Sequence, residues 1–151
     1  MEKMNMQAMT DRKKYIAVVG IDTGTHTGYA VWKPLEHCFA ELSTLKIHVA
    51  MRNVLNLKQL YGEKLLVRFE DARQRKWFGN SGIEKWQGAG SIKRDCTIWE
   101  DFLMDNEIDF EMVKPKAKMT KLNAKTFRSL SHYCGQTSEH SRDAGMLVLG
   151  M

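Results

Sequence analysis

Runs of apolar, β-branched residues alternate with amphipathic stretches along this chain, and each run predicts a strand. The run that begins at Tyr15 is continuously apolar, which is typical of a central strand covered on both faces. It ends in Asp22–Gly28, a segment of small and turn-forming residues. Apolar residues resume at Tyr29–Trp32, so the two runs predict a β-hairpin. Three further strands are predicted at Glu36–Leu45, Lys64–Glu70 and Ile108–Val113.

Helices are predicted where apolar residues recur every three or four positions. Val49–Tyr61 has this spacing, and Gly62 follows it at the position where a helix-ending glycine is expected. The longest amphipathic segment runs from Ile83 to Met104. Its apolar stripe is formed by Trp86, Ala89, Ile92, Cys96, Trp99 and Leu103.

Two more helices are predicted towards the end of the chain. Thr120–Tyr133 would be ended by Gly135, and Ser138 is placed to cap a last helix that continues to Met151. The element order is three strands, a helix, a strand, a helix, a strand and two helices. This order predicts an α/β fold, in which a mixed five-stranded sheet, its first three strands antiparallel, carries helices on both faces.

Length and composition indicate one globular domain. The chain has 151 residues, of which 43% are hydrophobic and 27% charged, as in soluble proteins rather than disordered ones. No apolar run reaches the about 20 residues that a membrane span needs. Residues 1–14 have no periodicity and are predicted to be a mobile leader to a single domain at 15–151. The three separated cysteines (Cys38, Cys96, Cys134) form neither a metal-binding pair nor an even disulfide set, which favours the reducing cytoplasm.

Acidic residues stand where two predicted strands end. Asp22 closes the first strand and Glu70 the fourth, while His140 and Asp143 are three positions apart and share one face of the last helix. Since the ends of neighbouring strands converge in α/β sheets, we expect the four side chains to meet. Three carboxylates and an imidazole would repel or desolvate one another unless a cation neutralised them. Oxygen-rich ligation favours Mg²⁺ or Mn²⁺.

Each of these residues, taken alone, has an ordinary structural interpretation. Asp22 precedes Thr-Gly and fits an Asx turn, and His140 fits the surface of a helix start. Glu70 is followed by Asp71, and because side chains alternate along a strand, one of the two must point away from any site. The set of four is therefore much more specific than any member.

These residues resemble a known family. Gly20–Gly24 (GIDTG) and Thr27–Val31 (TGYAV) resemble the opening hairpin of the RuvC-type Holliday junction resolvases, within the RNase H-like or retroviral integrase superfamily. Leu66–Glu70 (LVRFE) matches the acid-bearing fourth strand. His140–Gly145 (HSRDAG) matches the closing motif, in which an acid or a histidine precedes the last aspartate by three positions. The resemblance covers about residues 15–150 and is greatest to small, phage-encoded members.

The resemblance implies an RNase H-like fold and a metal-dependent endonuclease that resolves four-way DNA junctions. Asp22, Glu70, His140 and Asp143 would be catalytic and would bind two Mg²⁺ or Mn²⁺ ions. One ion would lower the pKa of the attacking water, and the other would stabilise the departing 3′-oxygen. The products would carry 5′-phosphate and 3′-hydroxyl ends. Gly24 and Gly28 would let the backbone approach closely there.

The resemblance also implies a homodimer, because a four-way junction has two-fold symmetry and needs two symmetric cuts. The long helix could supply the dimer contact through Ile98 and Phe102, although both residues fit the protein core equally well. For a phage-encoded member the expected location is the host cell cytoplasm.

Basic residues are concentrated in one part of the chain, whose net charge is +5. Between Met112 and Ser131 there are six basic residues and no acidic one, which predicts a track for DNA phosphates because ordinary surfaces mix both signs. Further basic residues follow Glu70 closely and could contact a second strand. The candidate DNA-binding residues are Arg73, Arg75, Lys76, Lys114, Lys116, Lys118, Lys121, Lys125 and Arg128, of which Lys121, Lys125 and Arg128 would share one helical face.

Other functions fit parts of this pattern. A nuclease of the same superfamily that acts on other branched, flapped or RNA-containing nucleic acids is not distinguished by the sequence. Gly20–Thr25 also resembles the first phosphate loop of actin-like sugar kinases and chaperone ATPases, but those proteins enclose a nucleotide with two domains, and a second phosphate loop is missing here. A non-catalytic DNA-binding relative is disfavoured because all four candidate ligands are present.

Overall fold

The structure is a computed structural model that describes residues 14–74, 83–115 and 121–151, without the side chains of residues 83–89. The leader predicted at residues 1–14 lies outside the described residues except for its last position. The strands are β1 (Ala17–Asp22), β2 (His26–Lys33), β3 (Cys38–Lys46), β4 (Leu65–Glu70) and β5 (Asp109–Val113). The α-helices are α1 (Ile47–Tyr61), α2 (Ile83–Asp105), α3 (Ala124–Ser131) and α4 (Glu139–Met146). Short 3₁₀ turns occupy Gly62–Lys64 and Ala72–Gln74.

The five strands form one mixed sheet in the order β3-β2-β1-β4-β5. The first three strands are antiparallel neighbours, whereas β4 runs parallel to both β1 and β5. In this register Asp22 lies opposite Gly28, and Ile21 lies beside Phe69. The predicted mixed five-stranded sheet with an antiparallel first half is therefore confirmed.

Helices cover both faces of the sheet because the central strands are apolar on both sides. On one face, β1 and β4 side chains pack with α1 and with the apolar stripe of α2, in a cluster that includes Ile21, Phe69, Val54, Cys96, Trp99 and Leu103. On the other face, Val18 and Leu66 pack with Phe127 of α3, Ala144 of α4 and Val148 beyond it. Burying each large apolar side chain contributes about 1.5–3 kcal/mol, so these two clusters hold the helices to the sheet.

Local capping sets helix ends that differ from the prediction. Helix α3 begins at Ala124, not at Thr120, because the Asn123 side chain accepts a hydrogen bond from the Thr126 amide at 2.8 Å. It ends before His132, which takes the left-handed conformation that was expected of Gly135 (φ 58°).

The prediction at the final helix is partly right. Ser138 caps α4 as expected, in a reciprocal capping box with Ser141. The helix ends at Met146 and does not continue to Met151. The chain then continues in turns, in which the Val148 and Leu149 amides both donate to the Gly145 carbonyl oxygen. Arg68 also donates to the Leu147 carbonyl oxygen at 2.5 Å.

None of the three cysteines forms a disulfide. The three cysteines, all within the described ranges, are unpaired thiols, exposed at positions 38 and 134 and buried at Cys96. No helix within residues 14–74, 83–115 and 121–151 has the length and apolar character to cross a bilayer.

Candidate active site

The ends of β1 and β4 bring Asp22 and Glu70 to the same edge of the sheet. Because Ile21 lies beside Phe69, the next residue on each strand is also adjacent, at the about 4.8 Å spacing of neighbouring strands. Ile21 and Phe69 point into the cluster beneath α1 and α2. Side chains alternate along a strand, so Asp22 and Glu70 both point to the opposite face, on which α4 packs.

Two glycines allow α4 to lie directly on the sheet at this point. A Cβ atom at Gly28 would lie 1.9 Å from the His140 carbonyl oxygen, and a Cβ atom at Gly20 would lie 2.1 Å from the Ala144 carbonyl oxygen. No side chain fits in either space, so only glycine permits this approach. Gly28 was expected to let the backbone approach the substrate closely, but in the structure the space beside it is filled by α4.

The close approach of α4 places His140 and Asp143 next to the strand ends. The His140 Nδ1 atom donates to the Asp22 Oδ2 atom at 3.0 Å. The His140 side chain is 48% exposed and that of Asp22 30%, so the pair lies at the surface of a cleft and not in the core. Asp143, one turn further along α4, is half-buried.

Two carboxyl groups of the site have a raised pKa, chiefly because they are partly desolvated. Burial raises the pKa of Asp22, the hydrogen bond with His140 opposes this effect, and the charges of Asp143 and Glu70 raise the pKa further. Burial also raises the pKa of Asp143, with Lys121 opposing and Glu139 adding to the shift. Burial is thus the main cause at both carboxyl groups, and the negative charges of Asp143 and Glu70 add to it at Asp22.

Lys121 brings a positive charge to the rim of the site. Its Nζ atom forms an ion pair with Glu139, the first residue of α4. The bond with Glu139 raises the pKa of Lys121 despite partial burial, and the charges of Asp143 and Asp22 raise it further. The ammonium group therefore lies within electrostatic reach of both acids.

The structure separates Glu70 from its acidic neighbour Asp71. The Asp71 side chain is 8% exposed and accepts from the Arg73 Nε atom at 2.7 Å and from the Gln74 amide at 3.1 Å. These bonds outweigh burial and lower the pKa of Asp71. Asp71 thus holds the turn after β4, and Glu70 is the acid of the two that faces α4.

Two residues near the site were missed by sequence reasoning. The His26 ring, at the start of β2, stacks on the His140 ring with centroids 6.3 Å apart. The buried Cys96 Sγ atom, on the other face of the sheet, lies 3.5 Å from the Thr23 hydroxyl group and 3.6 Å from the Glu70 carbonyl oxygen. Cys96 was assigned only to an apolar stripe, and nothing in the local pattern indicated that its thiol joins the ends of the two acid-bearing strands.

The candidate DNA-binding residues fall into three groups. Arg75, Lys76, Lys116 and Lys118 lie outside the described residues. Arg73 forms ion pairs with Asp71 and with Glu100, the latter at 2.5 Å, so it anchors α2 to the turn after β4. The remaining candidates, Lys114, Lys121, Lys125 and Arg128, are exposed; Lys114 follows β5, and the other three lie on α3 or just before it. Lys121 precedes α3, so the single helical face expected for three of them is wrong, and only Lys125 and Arg128 share a face.

The donor set of the site fits a hard divalent cation in its chemistry. Asp22, Glu70 and Asp143 offer carboxylate oxygens, and His140 offers Nε2 while its Nδ1 bonds Asp22. Within the described part of the chain, no three acidic, histidine or cysteine side chains form a ready-made ligand cluster. Ion binding would therefore require these side chains to draw closer together.

Comparison with known proteins extends the description of the fold. No protein-family model matches the chain, and no curated protein matches its sequence. The chain is similar in structure to T. thermophilus RuvC in complex with a Holliday junction substrate, at 18% identity and a TM-score of 0.57, over 90% of this chain and 92% of that one. The large terminase nuclease from the thermophilic phage G20c matches at 14% identity and a TM-score of 0.39, over 66% of this chain and 44% of that one. The chain has the RNase H-like fold, with the sheet order and flanking helices of RuvC.

Proposed function

We propose that this protein is a metal-dependent endonuclease that cuts branched DNA, with the four-way junction as its substrate. The observation that carries the proposal is the hydrogen bond between Asp22 and His140, with Glu70 at the neighbouring strand end and Asp143 one turn further along α4. Repulsion among three acids disfavours this arrangement unless it serves to bind a cation.

The four residues have distinct parts in the proposed reaction. Asp22, Glu70, His140 and Asp143 would hold two Mg²⁺ or Mn²⁺ ions, which when bound supply charge neutralisation and a more acidic water. His140 orients the Asp22 carboxylate through the 3.0 Å bond from Nδ1. Lys121 could release Glu139 and bind a phosphate oxygen of the DNA instead, because its ion pair with Glu139 lies on an exposed surface. Water attack on the phosphorus would release the 3′-oxygen and leave a 5′-phosphate.

The choice of a junction as the substrate rests on the exposed basic side chains and on the structural similarity to RuvC. The exposed basic side chains near α3 suit a phosphate backbone, and the structure of T. thermophilus RuvC that this chain resembles is a complex with a Holliday junction substrate. Two symmetric cuts need two sites, so we include a homodimer in the proposal. Ile98 and Met104 of α2 are 44% and 61% exposed and are available for the contact, whereas Phe102 packs edge-on against Trp99 at 5.7 Å.

A cleavage panel tests this function. Labelled four-way junction, fork, flap, linear duplex and RNA–DNA hybrid are each incubated with Mg²⁺, with Mn²⁺ and with EDTA. We expect cleavage of the junction at symmetric positions, with ligatable nicks, and none in EDTA. Preferential cutting of the flap or the hybrid would show that this nucleic acid, and not the junction, is the substrate. Absence of cutting in every lane, with the protein folded, would overturn the nuclease assignment.

A further inference from the structure

An open pocket of about 480 Å³ lies between α3 and the segment that follows it. This volume is within the range of about 300–1,000 Å³ that is usual for ligand sites. None of the four candidate metal ligands, Asp22, Glu70, His140 and Asp143, lines this pocket. Its main lining side chains are Lys125, Phe127, Arg128, Tyr133, Gln136 and Thr137.

The pocket combines the groups that recognise a nucleotide. Phe127 is buried and forms an apolar floor, and the half-buried Tyr133 ring is held edge-on against Phe39, with centroids 6.4 Å apart. Lys125 and Arg128 place two cations on one face of α3. Arg128 also donates to the Cys134 carbonyl oxygen at 3.1 Å, which fixes the segment against the helix. An aromatic ring suits a base, and the cations suit its phosphate.

The pocket is rigidly connected to the candidate active site through Arg142. This residue lies on α4 between His140 and Asp143. Its guanidinium group donates to the Leu122 carbonyl oxygen at 2.8 Å, on the chain leading into α3, and to the Thr137 carbonyl and hydroxyl oxygens at 3.2 and 3.1 Å. One side chain therefore ties the pocket wall to the helix that carries two of the four candidate ligands.

The distance between pocket and site suits neighbouring positions on one DNA strand. Thr137 and His140 are three residues apart, which is at most about 11 Å of chain. A strand advances about 3.4 Å per nucleotide along a duplex axis, so the Thr137 wall of the pocket lies within about three such steps of His140.

We propose that this pocket binds one unpaired nucleotide of the DNA strand that is being cut, with its base against Tyr133 and its phosphate beside Lys125 and Arg128. The inference rests on the proposed nuclease function and adds a position of base recognition to it. Gln136 offers amide donors and acceptors to the base edge, so the base in the pocket would influence both binding and the rate of cutting.

A binding measurement tests the pocket independently of cleavage. Short labelled single-stranded oligonucleotides, intact or fully abasic, are titrated with the protein in EDTA and followed by fluorescence anisotropy. Loss of stacking on one base is expected to weaken binding about tenfold, so Tyr133→Ala should bind the intact strand about tenfold less tightly and the abasic strand unchanged. Tyr133→Phe should bind as the wild type does. Leu130→Ala, on the exposed far side of α3 (54% exposed), is the matched control and should also be unchanged.

A cleavage measurement then tests the position of the pocket relative to the cut. Four-way junctions carrying one abasic residue at successive positions of the cut strand should show a minimum in rate at one position, and Tyr133→Ala or Gln136→Ala should flatten it. Thermal melts check that the Tyr133→Ala variant is folded, and Gln136→Ala, an exposed side chain, tests the pocket without that risk. Equal strand binding by all variants would overturn the pocket, even if junctions are cut. Pocket-dependent binding without any cleavage would support the pocket and refute only the nuclease function.

Discussion

Replacing Gly28 by alanine tests whether the close approach of α4 builds the site. The added Cβ atom would lie 1.9 Å from the His140 carbonyl oxygen and 2.9 Å from the Asp22 Cβ atom, whereas ordinary contact begins at 3.4 Å. To restore an ordinary contact with the His140 carbonyl oxygen, the helix and the strand must move apart by about 1.5 Å, from 1.9 to 3.4 Å. A shift of this size takes the 3.0 Å bond between His140 and Asp22 well beyond the hydrogen-bond limit of about 3.2 Å.

Two measurements follow from this displacement. Overpacking costs about 1–3 kcal/mol, which lowers the Tm of a domain of this size by roughly 3–10 °C. A misplacement of about 1 Å at reacting groups reduces rates by about a hundredfold, so single-turnover junction cleavage should fall at least that far. Differential scanning fluorimetry and gel-resolved cleavage in Mg²⁺ measure the two effects.

Gly90→Ala is the matched control for Gly28→Ala. Gly90 lies in α2, and a Cβ atom there meets nothing within 4 Å. Because alanine is preferred over glycine in a helix by about 1 kcal/mol, this variant should be slightly more stable and fully active. If the Gly28→Ala protein is folded and cuts junctions within threefold of the wild-type rate, the role assigned to the docking of α4 is wrong.

Four further predictions concern other residues in and around the site. Asp22→Asn should abolish cleavage yet preserve or tighten junction binding in a gel-shift assay, because a negative charge facing the phosphate is removed; wild-type cutting by this variant would refute the site. Charge reversal at both Lys121 and Lys125 should weaken junction binding and flatten its salt dependence, by about one unit of slope for each lost phosphate contact; an unchanged slope would contradict the phosphate track. Asp71→Asn should lower the free energy of unfolding by about 1–3 kcal/mol at neutral pH. Because the pKa of this carboxyl group is lowered in the fold, the difference should begin to shrink as the pH falls below the unfolded value of 3.8 and should be lost as the pH passes through the lower pKa of the folded state. A difference that persists below that folded pKa would argue against an ionic role. Cys96→Ala should raise the Mg²⁺ concentration needed for half-maximal cleavage several-fold. Cys96→Ser keeps a hydrogen-bond donor at that atom and should return this concentration to the wild-type value. If the two variants need the same Mg²⁺ concentration, the thiol has a packing role only.

Most of the sheet could be predicted because each strand is marked by a run of apolar residues that are neighbours in the sequence. The apolar run from Tyr15 identifies a central strand, and a polar residue at its end must leave the core wherever the strand is placed. Asp22 and Glu70 could be assigned to one edge for this reason, without knowledge of the register. The choice between Glu70 and Asp71 needed the structure, because it depends on which face of the sheet Arg73 and Gln74 occupy.

The remaining features depend on contacts between distant parts of the chain. The glycine at position 20 can be read from the sequence, but its contact with Ala144 of α4 cannot. His26 and Cys96 likewise take their places beside the site through the hairpin and through α2. The start of α3 was misplaced because the basic residues before Asn123 are good helix formers, and the Asn123 cap overrides their preference.

The way α4 is attached to the sheet has a consequence for heat inactivation. Its buried residues are Ser141, Ala144 and Gly145, all of them small, so this helix removes little hydrocarbon from water. Its attachment depends on fit and on its cap, which leaves its outward positions available for polar side chains. Segments with little apolar burial open before the rest of a domain does. On warming, α4 should therefore detach reversibly, with the candidate site residues His140 and Asp143, while the sheet is still intact.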